Sequence, residues 1–437
     1  MNHKAKSLID IFNIFEPKAL TDEQKEFYQP TAIVRDGENR EFHDRLFKRI
    51  KMSDNSSRIL VIGHGGCGKS TELRMLAGKL SIEGMLPIII EAREDIDIND
   101  FSIIDIFVLI VERLAEYANN ENFDVNNMII SACYKALSTK TTTEHWESGL
   151  EFDASINLPA FLQFLLRIHT SLKTGSGSRE EYRREVDPKL SEIIRAVNDF
   201  IKGLNYQIAE KRNGSDSMIR NSSNIIIIID GLEKCRQECV QKLFANNASS
   251  LSEINAHMVI ACPINVFRSP DGGSLQSYFS SKEVMPMIKT HNDKDLSPNR
   301  EGINVIKELI FKRVDASFFE DAALEKIIKK AGGSLRDTCY LLKEGAFEAH
   351  LRESEKIDEA SVNFVLNKFA AEVFLRVNKK YYQTIKSICN GDHDIRNEED
   401  LAELLYAGAV FEYNGKKWVD LHPLIRDYIA DHPRVLN

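Results

Sequence analysis

The fold class of this chain is decided by the stretch Gly63-His64-Gly65-Gly66-Cys67-Gly68-Lys69-Ser70-Thr71. This glycine-rich loop, residues 63–71, fits the pattern GxxxxGK[ST] in full and lies between a predicted strand and a predicted helix. Glycines let the backbone curl tightly enough to point many N–H groups at phosphate oxygens, and the following helix directs its positive end at the same oxygens. The spacing therefore predicts a phosphate-binding loop.

Two side chains of this loop carry predicted chemistry. We expect Lys69 to reach the β- and γ-phosphates of a nucleotide, and the Ser70 hydroxyl to ligate Mg²⁺. The residues expected to contact the phosphates are Gly63, Gly65, Gly66, Cys67, Gly68, Lys69, Ser70 and Thr71. The side chains of His64 and Cys67 are assigned no chemistry, because both residues fill variable positions of the pattern.

A second motif ends an apolar strand, residues 225–229, with the acid Asp230. A buried β-branched strand holds such a carboxylate rigidly at the edge of the sheet where ligands bind in α/β folds. We expect Asp230 to hold Mg²⁺ and Glu233 to polarise the attacking water. The alternative for Glu233 is a solvated carboxylate at the start of a helix.

Strand order narrows the class to an α/β fold with a five-stranded parallel sheet. The strands are predicted at 58–62, 86–91, 225–229, 257–261 and 284–288. One strand separates the glycine-rich strand from the Asp230 strand along the chain, which resembles the additional-strand (ASCE) division of P-loop NTPases. The chain has no NKxD or TKxD element for guanine, which favours ATP, and no LSGGQ element of an ABC transporter ATPase.

The chain divides into four predicted regions. They are a helical lead-in at 1–57, an ATPase core at 58–299 with a helical insertion at about 119–224, a helical lid at 300–370, and a winged-helix domain at 371–437. Within the insertion, apolar residues of 186–204 recur at heptad spacing, which fits a helix packed on its own domain or, less well, a coiled coil. The winged helix is predicted from two helices, at 373–389 and 398–405, followed by a hairpin around Asn414-Gly415.

Composition sets limits on partners and location. The formal net charge of −9 does not suit a chain that binds nucleic acid through overall positive charge. The helix at 398–405, which would enter a DNA groove in a winged helix, is acidic and lacks Lys and Arg. Seven cysteines without a CxxC pair predict reduced thiols in the cytoplasm, and no apolar run is long enough for a membrane span.

Three stretches resemble the AAA+ and STAND ATPases, including their initiator-like and NACHT-like branches. They are the loop continuing as GKSTEL, the segment 230–234, and Ala331-Gly332-Gly333-Ser334-Leu335-Arg336-Asp337. The loop and Glu91-Ala92-Arg93-Glu94-Asp95 also resemble bacterial ATPases that read GHRGSGKSTEL. The resemblance implies that Arg336 senses the γ-phosphate and acts with Lys69, Asp230 and Glu233 in catalysis. A surface arginine at a helix start is the alternative.

The resemblance also suggests further site residues and a rate of hydrolysis. It suggests Asn265 as a polar sensor and Arg313 or Arg268 as an arginine finger, although surface roles are the commoner use of such arginines. Gly231 stands where AAA+ proteins usually carry a glutamate, so slow hydrolysis by a switch is expected.

The implied function is an ATP- and Mg²⁺-dependent switch that forms a homo-oligomer and controls a partner protein, in a setting such as bacterial anti-phage defence. The alternatives are an initiator-like or transposition-regulator-like ATPase that binds DNA, and an ATP-binding scaffold without turnover.

Overall fold

The computed structural model describes residues 4–53, 55–139, 156–213, 224–293, 295–391, 398–413 and 418–432. The strands are β1 Arg58–Gly63, β2 Leu86–Glu91, β3 Ile225–Asp230, β4 His257–Pro263, β5 Ser281–Met285, β6 Val410–Tyr413 and β7 Trp418–Leu421. The helices of the first half are α1 Leu8–Ile14, α2 Ala32–Asp36, α3 Phe42–Lys51, α4 Lys69–Ile82, α5 Ala92–Asp95, α6 Ile103–Asn120, α7 Asn127–Leu137, α8 Leu158–Thr174, α9 Ser176–Val186 and α10 Leu190–Asn213. Those of the second half are α11 Gln237–Ser252, α12 Ile264–Arg268, α13 Arg300–Phe311, α14 Asp321–Lys330, α15 Leu335–Leu351, α16 Glu359–Leu375, α17 Tyr382–Cys389, α18 Glu398–Tyr406 and α19 Pro423–Asp431. Among the described residues, no helix combines the length and apolarity that a membrane span requires.

The central sheet has five parallel strands in the order β2-β3-β4-β1-β5. Successive side chains of a strand point to opposite faces, so the five consecutive isoleucines of β3 enter two different cores. Ile226 and Ile228 pack with α3 and α4 on one face, whereas Ile225, Ile227 and Ile229 join α6 and α11 on the other. Burial on both faces is why these strands read as continuous apolar runs. The predicted α/β class and five-stranded parallel sheet are confirmed, and β4 lies between β1 and β3.

One predicted strand is misplaced. The fifth strand was expected at 284–288 from its apolar residues, but β5 runs over Ser281–Met285. It pairs only with β1 at the edge of the sheet, so it starts with the polar sequence Ser281-Lys282-Glu283. Met287 and Ile288 are buried after the strand has ended. Apolar periodicity alone therefore could not locate β5, although it located β2 at the opposite edge of the sheet.

The lead-in, residues 4–53, connects the core to the lid segment, residues 300–375. Its helix α3 packs on α4 of the core, while α1 packs on α15 of the lid. Ala5 pairs with Val314 in an isolated parallel bridge, and its N–H donates to the Arg313 carbonyl at 2.8 Å. The lead-in is thus packed against both the core and the lid.

The insertion packs within the chain. Helix α10 contacts α6 and α7, and the apolar heptad positions of 186–204 are buried apart from Leu190, which is half-buried. Pro188 lies in a short 3-10 helix between α9 and α10, as a missing backbone N–H favours. The described part of the insertion therefore accounts for the heptad stripe without a second chain.

An ionic cluster joins α9 of the insertion to the segment that follows β2. Arg183 contacts both carboxylate oxygens of Asp105, at 3.0 and 2.8 Å, and also Asp100 at 2.8 Å. Arg179 contacts Asp97 at 2.8 Å and Asp100 at 3.0 Å. Asp105 is buried and also caps the start of α6, so its ion pair with Arg183 joins α9 to the start of α6.

The C-terminal unit, residues 376–432, contains α17, α18, the antiparallel hairpin β6–β7 and α19. The helix predicted at 373–389 is in fact two helices, because α16 ends at Leu375 and Asn378 caps the short 3-10 helix before α17. Helix α16 also runs through the predicted boundary between residues 370 and 371. The turn Asn414-Gly415 lies outside the described residues. An isolated parallel bridge joins Tyr413 to Met287 beyond the end of β5.

The ionic cluster predicts a stability difference between two neighbouring arginines of α9. Arg183→Ala leaves the buried carboxylate of Asp105 without its bidentate partner, so we expect the free energy of unfolding to fall by about 2–4 kcal/mol. Arg184→Ala, at an exposed position of the same helix, should change it by less than about 0.5 kcal/mol. Urea unfolding followed by circular dichroism measures both, and equal effects of the two substitutions would contradict the cluster's role.

Candidate functional site

The glycine-rich loop folds around the ammonium group of Lys69. Gly66 and Gly68 have φ angles of 89° and 106°, in the left-handed region that favours glycine. The loop so formed lets the Lys69 amine donate to the carbonyls of Gly63 and His64, at 2.9 and 2.8 Å. Lys69 is only 3% exposed, so its charge lies inside the loop.

Two carboxylates face this lysine from the end of β3. Asp230 is buried, and the nearby Ser70 hydroxyl acts to lower the pKa of its carboxyl group. Burial, and then repulsion from Glu233, raise the pKa of Asp230. Burial acts to raise the pKa of Glu233 as well. The charge of Lys69, with other nearby donors and charges, outweighs burial, so the pKa of Glu233 lies below its ordinary value. Burial acts to lower the pKa of Lys69, but the two carboxylates outweigh burial, so the pKa of Lys69 lies above its ordinary value.

Gly231 explains how the second acid reaches the site. Its φ angle is 82°, and this left-handed residue starts the short 3-10 helix Leu232–Lys234. The turn directs the Glu233 carboxylate toward Lys69 rather than along the strand. The acid that the sequence lacks directly after Asp230 is therefore supplied three residues later.

The lid segment touches the loop directly. The N–H groups of Leu335 and Arg336, at the start of α15, donate to the Gly66 carbonyl at 3.0 and 3.3 Å. The Arg336 guanidinium lies over Gly65 and comes within 3.9 Å of the Glu233 carboxylate. The predicted site residues of the core and the lid are thus brought together in one place.

The lead-in contributes a buried arginine that the sequence did not indicate. Arg35 donates to the Cys67 carbonyl at 2.6 Å, to the Pro286 carbonyl and to the Thr31 hydroxyl. The loop's Thr71 hydroxyl also faces the lead-in, where it accepts from the Leu20 N–H at 3.4 Å. No local pattern marks Arg35, because its partners are far away in the chain.

The C-terminal hairpin also reaches the loop. The Nε2 atom of His64 accepts a hydrogen bond from the Glu412 N–H at 2.8 Å, and the Phe411 ring packs edge-on against the imidazole. Burial, and then the charges of Lys69 and Arg268, lower the pKa of His64 to about 3. The neutral imidazole keeps its acceptor nitrogen. His64 had been assigned no side-chain chemistry, so this contact was missed.

The remaining candidates are used inside the chain. Two nitrogens of the Arg268 guanidinium donate hydrogen bonds to the Glu412 carboxylate, at 2.8 and 2.6 Å. Arg313 is buried, donates to the Leu309 carbonyl at 2.7 Å and lies over the Phe27 ring. Neither arginine projects outward as a finger for a neighbouring subunit. Asn265 is buried two residues after Pro263, which pairs with Gly63 in the sheet.

The residues of this site fit a nucleoside triphosphate with Mg²⁺. The loop supplies glycines and the start of α4 for phosphate oxygens. Two buried carboxylate oxygens, Asp230 Oδ1 and Glu233 Oε2, have no hydrogen-bond partner among the described residues. A pair of crowded, buried carboxylates of this kind is the environment that a hard divalent cation stabilises.

A family model described as the KAP family P-loop domain matches residues 39–261, just over half of the 437 residues. The chain belongs to this family. Its glycine-rich loop, β3 and the insertion between them all lie inside the matched region, so the chain is a P-loop NTPase by family. No curated protein matches it at a significant level.

Solved structures resemble the chain at low identity. The ORC2 protein of Aeropyrum pernix, in its ADPNP–ADP complexes, is 12% identical with a TM-score of 0.41, over 99% of this chain and 98% of that chain. The A. pernix ORC1 protein in complex with DNA is 12% identical with a TM-score of 0.38, over 98% and 97%. The RuvB Holliday junction branch migration motor of Thermotoga maritima is 12% identical with a TM-score of 0.35, over 93% and 99%. Similarity at this level assigns neither a substrate nor a partner to this chain.

The contact between loop and lid predicts different effects at two left-handed glycines. A Cβ at Gly66 would lie 2.6 Å from the Arg336 Cβ, whereas a Cβ at Gly37, whose φ is 81°, meets nothing within 4 Å. Both alanine substitutions carry backbone strain of about 1–2 kcal/mol, but only Gly66→Ala pushes the lid off the loop. We expect about a tenfold loss of affinity for a fluorescent ATP analogue, or roughly 1.4 kcal/mol, in Gly66→Ala alone. Equal losses in both variants would contradict the contact.

His64 predicts a pH dependence of stability. The folded chain keeps this imidazole neutral down to a pKa of about 3, whereas the unfolded chain protonates it near the ordinary value of 6.5. The unfolded state binds more protons between these values, so the contribution is complete above about pH 6.5 and is lost as the pH falls toward 3. His64→Gln lacks this titration. Its free energy of unfolding, measured with urea at about pH 7, 6 and 5, should therefore fall less steeply than that of the wild type. Parallel curves would exclude a buried neutral His64.

Proposed function

We propose that this chain is an ATP-driven switch of the AAA+/STAND group, in which ATP binding between core and lid controls a partner protein and hydrolysis is slow. The observation that carries the proposal is that α15 of the lid begins on the glycine-rich loop, with Arg336 beside Gly65 and Glu233. A nucleotide on the loop must engage or displace this arginine. Core and lid would therefore change their relation when the nucleotide changes.

The site residues have proposed roles in binding. The backbone of Gly63, Gly65, Gly66, Cys67 and Gly68 and the start of α4 at Ser70 and Thr71 would hold the phosphates. Lys69 would leave its two carbonyl partners to contact the β- and γ-phosphates. Ser70 and Asp230, whose side chains lie near each other, would hold Mg²⁺, directly or through water. Mg²⁺, when bound, offsets the negative charge of the phosphates and of the two buried acids.

Glu233 is the proposed residue that orients the attacking water. Its lowered pKa keeps it an anion, which is the state that accepts a hydrogen bond from water. Its position on a short 3-10 helix after Gly231, rather than on the rigid strand, supports slow turnover. Slow turnover suits a switch better than a motor.

The C-terminal unit is proposed to be a winged helix that contacts protein rather than DNA. The four predicted regions are kept as proposed domains, with the boundary between the lid and the C-terminal unit moved to the end of α16 at Leu375. Helix α18 is the candidate reading helix. It packs against α12 of the core, and its acids Asp400 and Glu403 accept hydrogen bonds from Thr384 and Gln237. An acidic helix that packs against the core is unsuited to a DNA groove.

The setting of the switch is proposed from family resemblance. Homo-oligomers and a part in bacterial anti-phage defence follow from the likeness to STAND ATPases in the loop and around Arg336, whereas a cytoplasmic location is proposed from the seven cysteines without a CxxC pair. A homo-oligomer that forms with a non-hydrolysable ATP analogue, seen by size-exclusion chromatography with light scattering, is the expected result. A monomer under all nucleotide conditions, with no co-purifying protein, would contradict the switch.

Two substitutions separate binding from turnover. Lys69→Ala should abolish measurable ATP binding, because no other cation of the loop replaces the ammonium group. Glu233→Gln should keep ATP affinity near that of the wild type and lower kcat by roughly 10²–10⁴-fold, because the amide cannot orient the water as a base. Calorimetry and phosphate release measure the two effects. Unchanged turnover in Glu233→Gln would assign the water to another residue, and no turnover in the wild type would leave an ATP-binding scaffold.

Arg336 predicts a preference between ATP and ADP. Arg336→Ala should weaken ATP binding about tenfold, as expected for one charge-assisted hydrogen bond, and leave ADP binding nearly unchanged. Arg352→Ala, which removes a surface ion pair with Glu348 at the other end of α15, is the matched control and should change neither affinity. Equal losses for ATP and ADP in Arg336→Ala would exclude γ-phosphate sensing.

A further inference from the structure

The strongest unexplained feature is the contact between His64 and the hairpin. His64 is 2% exposed, and its Nε2 atom accepts from the Glu412 N–H at 2.8 Å. The two residues are 348 positions apart in the chain. A side chain of the glycine-rich loop thus makes a direct, buried hydrogen bond to the C-terminal unit.

Glu412 is held by three segments that follow adjacent strands. His64 follows β1, Arg268 ends the helix after β4, and Met287 follows β5. The carboxylate of Glu412 is bound by Arg268, and its carbonyl accepts from the Met287 N–H at 3.2 Å. Because β4, β1 and β5 are neighbours in a parallel sheet, their carboxyl ends lie side by side, and strand β6 lies across them.

His64 and Tyr413, the residue after Glu412, connect this contact to the nucleotide-binding groups. The His64 carbonyl accepts a hydrogen bond from the Lys69 amine, so displacement of His64 moves a partner of that amine. On the hairpin side, the Tyr413 hydroxyl donates to the Gly332 carbonyl at 2.8 Å, just before α15 and Arg336. The hairpin therefore bridges the loop and the lid.

We propose that His64 is a positioning residue, and that its hydrogen bond to Glu412 forms a latch through which the C-terminal hairpin sets the conformation and the nucleotide affinity of the glycine-rich loop. This inference rests on the proposed function and adds its regulation. The latched loop is ordered before nucleotide binds, so less ordering remains to be done on binding. By reciprocity, a bound nucleotide must stabilise the docked hairpin to the same extent.

Substitution of His64 tests the latch. His64→Gln places an amide oxygen near the position of Nε2 and keeps the acceptor, whereas His64→Leu fills similar volume without one. We expect His64→Leu to bind an ATP analogue roughly tenfold more weakly, within the usual range of coupling between sites. His64→Gln should stay within about threefold of the wild type, given that it restores a single hydrogen bond. Equal affinities of all three proteins would overturn the proposal.

Amide hydrogen exchange gives the second readout. In the wild type, the ATP analogue should slow exchange of the Glu412 amide and of the 410–413 strand. In His64→Leu, that exchange should be faster and should no longer respond to the analogue. Exchange in the wild type that is unaffected by bound analogue would overturn the latch.

A variant outside the loop keeps the test decisive if His64→Leu fails to fold. Arg268→Gln removes the two contacts to the Glu412 carboxylate and should speed exchange at 410–413 and weaken nucleotide binding in the same direction. In the double variant with His64→Leu, the two effects should not add, because both act through Glu412. Additive effects would contradict a shared latch.

The same measurements distinguish the two proposals. If the wild type binds no nucleotide, the proposed switch fails. If the wild type binds nucleotide and Arg336→Ala separates ATP from ADP, but His64→Leu behaves like the wild type, only the latch fails.

Discussion

The buried ammonium group of Lys69 is the constraint on which the rest of the structure depends. A charge that is removed from water is tolerated only where it is paired and hydrogen-bonded. Here two loop carbonyls accept from it directly, and the carboxylates of Asp230 and Glu233 supply opposite charge. This requires left-handed glycines in the loop and, at the end of β3, a left-handed Gly231. The site is therefore built around one positive charge, which can also pair with the phosphate oxygens of a nucleotide.

Three segments outside the central sheet meet at the glycine-rich loop. Arg35 of the lead-in donates to the Cys67 carbonyl, the start of α15 donates to the Gly66 carbonyl, and Glu412 of the hairpin donates to His64. Each uses a different group of the loop, so the three contacts do not compete. A change in the shape of this short loop would therefore act on its contacts with the lead-in, the lid and the C-terminal unit at the same time. That geometry favours a switch over an isolated nucleotide-binding domain.

Much of the fold and most of the candidate site follow from local sequence. The loop, the Asp230 strand and four of the five strands were placed correctly because glycine conformations and buried apolar runs are local properties. Strand β5 was misplaced because its first three residues, Ser281-Lys282-Glu283, are polar, while buried apolar residues continue past its end. The helix predicted at 373–389 missed a break, because the cap at Asn378 is a single side-chain hydrogen bond.

The sequence by itself determined the glycine-rich P-loop at residues 63–71 and the positions of the acids Asp230 and Glu233, since each motif is a short run with its own geometry. Only the tertiary structure decided which distant residues contact that loop. Arg35 reaches the Pro286 carbonyl across 251 positions, and Glu412 reaches His64 across 348. It also placed Arg268 and Arg313 inside the chain, where the sequence suggested intermolecular fingers. The physical reason is that a hydrogen bond between remote segments depends on how helices and strands pack, and no local spacing encodes that arrangement.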